Sequence, residues 1–323
     1  MSNFFHTASA NRTVSQLKNG WLPLVALFVM LGANSQARAE SDAQRLLVNG
    51  KQYTKLRRYT DALRCFDAAI AMEPKSYILY AERGEVYSRM QDFKSALSDF
   101  NKALALNDRA SELYFKRGWA YDQLDDFEPA IKDYEKYLTY KPKDYFARSS
   151  LADNLSEIGQ TDRALKILNE IIAAQPNYAQ ARKMRGLLLS GKNGNIKQAI
   201  EDYTVALKDL SYKHHINLLS FRADAYTKIK DYPHALADLK NLLKATPNDD
   251  NTHRQIANLY YLSGDYKKAC DEYTRVIEMD SGEVGANYVA RARCYEKLGE
   301  KDLARKDLEK SQKLEYLGKD GFN

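Results

Sequence analysis

The chain is poor in the residues that break or cross-link a fold. Among 323 residues there are 3 cysteines, 7 prolines and 15 glycines. So few prolines and glycines argue against a turn-rich all-β chain and against collagen-like or linker-rich sequence. Three cysteines are too few for a disulfide scaffold, and no two stand in a Cys-x-x-Cys pair. No apolar run reaches the roughly 20 residues that cross a bilayer as a helix. Acidic residues are missing from positions 1–39 altogether.

That acid-free stretch carries Arg12 and Lys18, then 13 nearly unbroken apolar residues from Trp21 to Ala33. A basic, polar start, a short apolar centre and the small residues Ala37 and Ala39 around Arg38 match a secretory signal peptide, with cleavage before Glu40. The other readings of the same residues are an uncleaved membrane anchor or a chance apolar run. Removing residues 1–39 takes away Arg12, Lys18 and Arg38, leaving 46 basic against 43 acidic residues, a net of +3. So small a balance calls for no polyanionic partner, and no nucleic-acid ligand is expected.

What the chain has in abundance is tyrosine, 23 of them, and a repeat explains them. Ala62, Ala96, Ala130, Ala164, Ala199, Ala235, Ala269 and Ala304 are separated by 34, 34, 34, 35, 36, 34 and 35 residues. Twelve residues before the alanine stands Gly50, Gly84, Gly118, Ala152, Ala223, Ala257 or Ala292, with Gly186 one place further back. Nine before it comes Tyr53, Tyr87, Tyr121, Leu155, Tyr226, Tyr260 or Tyr295. Four after it comes Phe66, Phe100, Tyr134, Leu168, Tyr203, Leu239, Tyr273 or Leu308. Pro74, Pro142, Pro176 and Pro247 each fall twelve after it. The spacing predicts two amphipathic helices per unit. Small residues on both let the backbones approach, and an aromatic fills the space beside the contact. Asp92, Asp126, Asp231 and Asp265 fall in the turn between the helices, and proline closes the unit.

This pattern resembles the tetratricopeptide repeat: a period of 34, small–x–x–Tyr, Ala–x–x–x–aromatic, then Pro. The resemblance implies an all-α, right-handed α-α superhelical solenoid of about eight helix-turn-helix units. They fall near 43–76, 77–110, 111–144, 145–178, 179–215, 216–249, 250–284 and 285–318, with a tail at 319–323. Extra residues at 190–195 and at 211–215 predict a local kink there, a place for a functional division of the array. A protein-binding scaffold is the implied function, the first helix of each unit lining a groove for partner segments.

Other motifs carry little. Gly186 to Lys192 is like a phosphate-binding loop, but Asn193 stands where Ser or Thr is required and no strand precedes it. His214 and His215 lack a third ligand at helical spacing, and His234 and His253 are isolated. No catalytic constellation, metal site or cofactor site is expected. An enzyme or catalytic accessory with its site in the groove is the rival reading, to be judged by convergent titratable groups.

The family's groove register places Ile78, Ala81, Glu85, Ser88 and Arg89, then Glu112, Phe115, Trp119, Asp122 and Gln123, then Phe146, Ser149, Asp153, Ser156 and Glu157 along the lining. Five are acids and one is a base. Later units supply Lys183, Lys228, Arg254, Arg293 and Lys297 against Asp224 and Glu296. Arg254 and Asn258 share a stripe, but Ala290 occupies the place where a carboxylate-holding clamp needs an amide. The expected site is an aromatic patch of Phe115, Trp119 and Phe146 rimmed by Glu112, Asp122 and Asp153, suited to an apolar anchor flanked by Arg or Lys, with Glu85, Arg254 and Asn258 as further groove contacts. Trp119 has two readings, a binding hot spot or a core residue between units. Cys270 and Cys294 fall on neighbouring helices, as two free thiols or a disulfide, and Cys65 is expected to be a buried thiol. The expected compartment is periplasmic or secreted, with a membrane-anchored form if the leader stays on.

Overall fold

The computed structural model of the protein describes residues 42–191, 194–209, 215–279 and 284–320. The apolar leader therefore lies outside the described residues, as do His214 and the inserted residues 192–193 and 210–214. Among the described residues there are sixteen helices and no strands. After α1 (42–55) come α2 (Tyr59–Met72), α3 (Tyr77–Arg89), α4 (Phe93–Leu106), α5 (Ser111–Asp122), α6 (Phe127–Tyr140), α7 (Tyr145–Glu157) and α8 (Thr161–Ala174). The rest are α9 (Ala179–Leu189), α10 (Ile196–Ala206), α11 (His215–Lys228), α12 (Tyr232–Ala245), α13 (Asp250–Leu262), α14 (Tyr266–Glu278), α15 (Val284–Leu298) and α16 (Lys301–Asp320). No helix among them is long and apolar enough to cross a membrane.

Two compact units divide the chain, at residues 147 and 148 within α7. In each unit, helices adjacent in sequence pack on one another.

Packing follows the repeat columns. All eight aligned alanines are buried. The residue four places later is buried in seven pairs, whereas Leu308 on the last described helix is 37% exposed. Opposite these side chains stands the small column. A Cβ on Gly50 would lie 2.7 Å from Phe66, one on Gly84 2.8 Å from Phe100, and one on Gly186 2.5 Å from Tyr203. The helices are close because glycine leaves room for the ring. Where the facing position holds leucine, at Leu168, Leu239 and Leu308, the small residue is alanine: Ala152, Ala223 and Ala292; Ala257 opposite Tyr273 is the pair in which alanine faces a ring.

The turn between paired helices is also periodic. Arg57, Gln91, Asp125, Gly159, Lys230, Gly264 and Gly299, each five before the aligned alanine, all have positive φ, between 56° and 85°. The next residue's N–H reaches back to the carbonyl of the tyrosine column, as from Asp92 to Tyr87 at 2.9 Å and from Asp265 to Tyr260 at 2.9 Å. This is the Schellman closure of a helix on a left-handed residue. The aspartates predicted in the turn then start the second helix: Asp92, Asp231 and Asp265 each accept a backbone N–H from three residues on. Asp126 occupies the same place without that bond.

A second ladder joins successive pairs. Arg83 holds Asp99 with two nitrogens at 2.8 and 2.7 Å and reaches Asp67 of the preceding pair at 2.7 Å. Arg117 repeats this with Asp133 and Asn101, Arg185 with Asp202 and Asn169, Arg222 with Asp238 and Thr204, and Arg291 with Asp307 and Thr274. The aspartates are buried, and a bidentate guanidinium is the partner that makes a buried carboxylate tolerable.

Candidate functional site

In the first compact unit, α3, α5 and the first turn of α7 bound a hollow of about 430 Å³. Its lining is Glu85, Ser88, Arg89, Glu112, Phe115, Lys116, Trp119 and Phe146. Phe115 and Trp119 are one turn apart on α5, so both project from one face. Phe115 sits among rings, with centroids 5.7 Å from Tyr134, 5.3 Å from Tyr137 and 6.0 Å from Phe146. Trp119 meets Phe93 edge-on at 5.4 Å and 81°. Both are half-buried, while Phe146 is 52% exposed. Trp119 therefore divides its surface: one edge belongs to the packing against α4, and the rest lines the hollow.

Phe146 is held in place from behind. The hydroxyl of Tyr137 donates to Asp144 Oδ2 at 2.7 Å, and Asp144 Oδ1 accepts the N–H of Ala147 at 3.0 Å. Asp144 thereby caps α7 and fixes the turn that carries Phe146. Burial and the neighbouring Asp144 push the Tyr137 hydroxyl well above its usual range, so it stays a donor.

The rim differs from the acidic one expected. Glu85 is clasped by Arg89 at 3.0 Å and by Lys116 at 3.0 Å. Burial alone would raise its carboxyl, but Lys116 and Arg89 hold it below the ordinary value. Glu112 lies 3.6 Å from Lys141. Among the lining residues two acids thus face two bases, and the hollow is charge-balanced. Lys116 is the residue that sequence reasoning missed: it lies beside the groove register rather than on it, and only the pairing of α3 with α5 brings it to Glu85.

The hollow gathers Glu85, Glu112, Phe115, Trp119 and Phe146. Asp122 ends α5 and is not among its lining residues. Asp153, Arg254 and Asn258 belong to the second compact unit. There Arg254 binds Asp250 at 3.0 Å. The Asn258 side-chain oxygen accepts from the Tyr273 hydroxyl at 3.0 Å, beside a hollow of about 460 Å³ that Phe221, Gln255 and Leu262 help to line. Arg254 does not line it.

The remaining sequence candidates have structural places. His253 is buried, with Nδ1 2.7 Å from Glu272 and Nε2 3.0 Å from the Pro247 carbonyl. His234 contacts the Asp231 carboxylate that caps its own helix. Cys270 on α14 and Cys294 on α15 are buried free thiols, and Cys294 Sγ donates to the Ala290 carbonyl at 3.3 Å. Cys65 is only half-buried, contrary to expectation, because it sits beside the core face of α2, next to the buried Phe66.

Comparison with known proteins agrees with this architecture. Tetratricopeptide-repeat models match residues 47–89, 82–145, 123–188, 255–282 and 286–316, together more than half of the chain. Among solved structures, a tetratricopeptide repeat protein from Parabacteroides merdae is 16% identical with a TM-score of 0.58, covering 84% of this chain and 99% of that one. The C-terminal part of a TPR repeat-containing protein from Cytophaga hutchinsonii is 18% identical with a TM-score of 0.61, over 74% and 98%. PilW, a type IV pilus biogenesis factor, is 18% identical with a TM-score of 0.52, over 62% and 90%. At such identities the likeness is one of fold. Eight helix pairs in the expected register, with repeat models matched across most of them, establish that the chain belongs to the tetratricopeptide-repeat family.

Proposed function

We propose that the protein is an exported, non-catalytic scaffold that binds a partner protein segment in the hollow of its first compact unit. Tetratricopeptide repeats are typically protein-interaction modules, and the observation that carries the reading here is the aromatic group of the half-buried Phe115 and Trp119 with the exposed Phe146. Apolar rings left open to water at a concave site, with charges at the margin, are the composition of a binding hot spot rather than of a solvated face. The balanced rim refines the partner. An apolar anchor enters between the rings, a basic residue flanks it near Glu112, and an acidic one lies near Lys116. Arg254 and Asn258 are proposed as contacts in the second unit. Export rests on the leader, with its short apolar centre and small residues before Glu40.

Peptide-display selection on the full chain, followed by titration of the selected segment, tests the site. Trp119→Ala and Phe146→Ala should each weaken binding by roughly 2 kcal/mol. Unchanged affinity in both variants would overturn the assignment. N-terminal sequencing of the exported protein should begin at Glu40, and an intact leader would replace export by anchoring.

A further inference from the structure

Ser88 stands four residues after Gly84, at a station where other pairs also carry a hydroxyl. In three of them the hydroxyl donates to the carbonyl one turn back: Thr54 to Gly50 at 2.8 Å, Ser190 to Gly186 at 2.8 Å and Thr227 to Ala223 at 2.7 Å. Ser88 departs from this habit. Its Oγ is buried and makes no hydrogen bond, and the residue lines the aromatic hollow beside Glu85, Phe115 and Trp119. The neighbouring Glu85 carboxylate, which is half-buried, is already held by Arg89 and Lys116. A buried hydroxyl without a partner is destabilising, and here it stands at the hollow an occupant would enter.

We propose that the hollow reads a tyrosine side chain of the partner, its ring among Phe115, Trp119 and Phe146 and its phenol hydroxyl on Ser88 Oγ. This deepens the proposed function and rests on it. An aliphatic anchor would leave Ser88 unsatisfied. A lysine or arginine anchor would place a cation beside Arg89 and Lys116. Tryptophan carries a donor only, on the flank of its ring. A phenol carries its hydroxyl on the ring axis and both donates and accepts, as the serine does. Ser88 is covered in the free protein, so the phenol reaches it as the half-buried rings shift. Trp119 emission then reports occupancy.

The test uses the full chain with Trp21→Phe, which makes Trp119 the sole tryptophan. The probes are N-acetyl-tyrosinamide, N-acetyl-phenylalaninamide and N-acetyl-tryptophanamide. Binding is followed by ligand-observed NMR, and for the first two also by Trp119 emission. The tyrosine probe should bind about fivefold to tenfold more tightly than the phenylalanine probe, the size of one net hydrogen bond. Ser88→Ala should bring that ratio near one without changing the affinity for the phenylalanine probe. Phe146→Ala, at an exposed ring, should weaken all probes alike. Equal binding of tyrosine and phenylalanine probes, a ratio that survives Ser88→Ala, or a tighter tryptophan probe would overturn the tyrosine assignment. In those cases sensitivity to Phe146→Ala keeps the hollow as a binding site. Failure of every probe to bind, or binding indifferent to Phe146→Ala, would overturn the site itself.

Discussion

Gly84→Ala is the sharpest test of how these helices are held together. The new methyl would stand 2.8 Å from Cε1 and 3.0 Å from Cδ1 of Phe100, and 3.2 Å from Cβ of Asp99. Neither neighbour yields easily. Phe100 is fully buried, and the Asp99 carboxylate is fixed by two nitrogens of Arg83. Alanine gains about 0.8–1 kcal/mol over glycine in a helix, while overpacking a closed core costs about 1–3 kcal/mol. The net expectation is a loss of about 1 kcal/mol. Phe100→Leu alone leaves space beside Gly84 and should cost about 1–2 kcal/mol. Together the two changes recreate a pairing this chain already uses at Ala223 and Leu239, which share one core cluster. The methyl then fills the space that the ring leaves, so the losses should fail to add, with a coupling of at least about 1 kcal/mol. Urea unfolding followed by far-UV circular dichroism on the four members of the cycle measures this. Gly118→Ala is the control. Its nearest neighbours would lie at 3.2 to 3.4 Å, and it should be neutral or slightly stabilising. Additivity within about 0.5 kcal/mol, or a Gly84→Ala protein more stable than the parent, would refute the packing argument.

Two further outcomes follow from the turns and the thiols. Lys230 has φ of 63° where Gly264 has 85° in the same turn of the next pair. Lys230→Gly should therefore raise the thermal midpoint, and Gly264→Ala should lower it by the equivalent of about 1 kcal/mol; midpoints moving in the opposite senses would contradict the left-handed turn. Burial, with Cys294 adding to it, pushes the Cys270 thiol up to about 12, and burial raises Cys294 as well. Iodoacetamide at pH 8 should modify native Cys65 well before either of them, and unfolding without reductant should expose three alkylatable thiols by mass; a single one would reveal a disulfide.

The sequence by itself determined the helix pair and its register. Ala62 to Ala304, the small column and the aromatic column recur at fixed spacing because each pair is stabilised by contacts within about thirty residues. Such contacts leave their period in the chain. The exchange of glycine for alanine where Phe66, Phe100, Tyr134 or Tyr203 gives way to leucine was also written there, as was the ladder of Arg83, Arg117, Arg185, Arg222 and Arg291, each with an aspartate 16 or 17 residues on. The aromatic group of Phe115, Trp119 and Phe146 was legible from the groove register. Its electrostatics were not, because a charge count along one stripe omits Lys116, which reaches Glu85 on another helix 31 residues away. Only the tertiary structure decided that pairing, the bracing of α7 by Tyr137 and Asp144, and the division at residues 147 and 148. It also left Ser88 without the backbone bond that Thr54 and Thr227 make, since a hydroxyl's partner depends on its rotamer and on what packs above it. Periodic contacts repeat in sequence, whereas rotamers and cross-pair ion pairs arise only when particular helices meet.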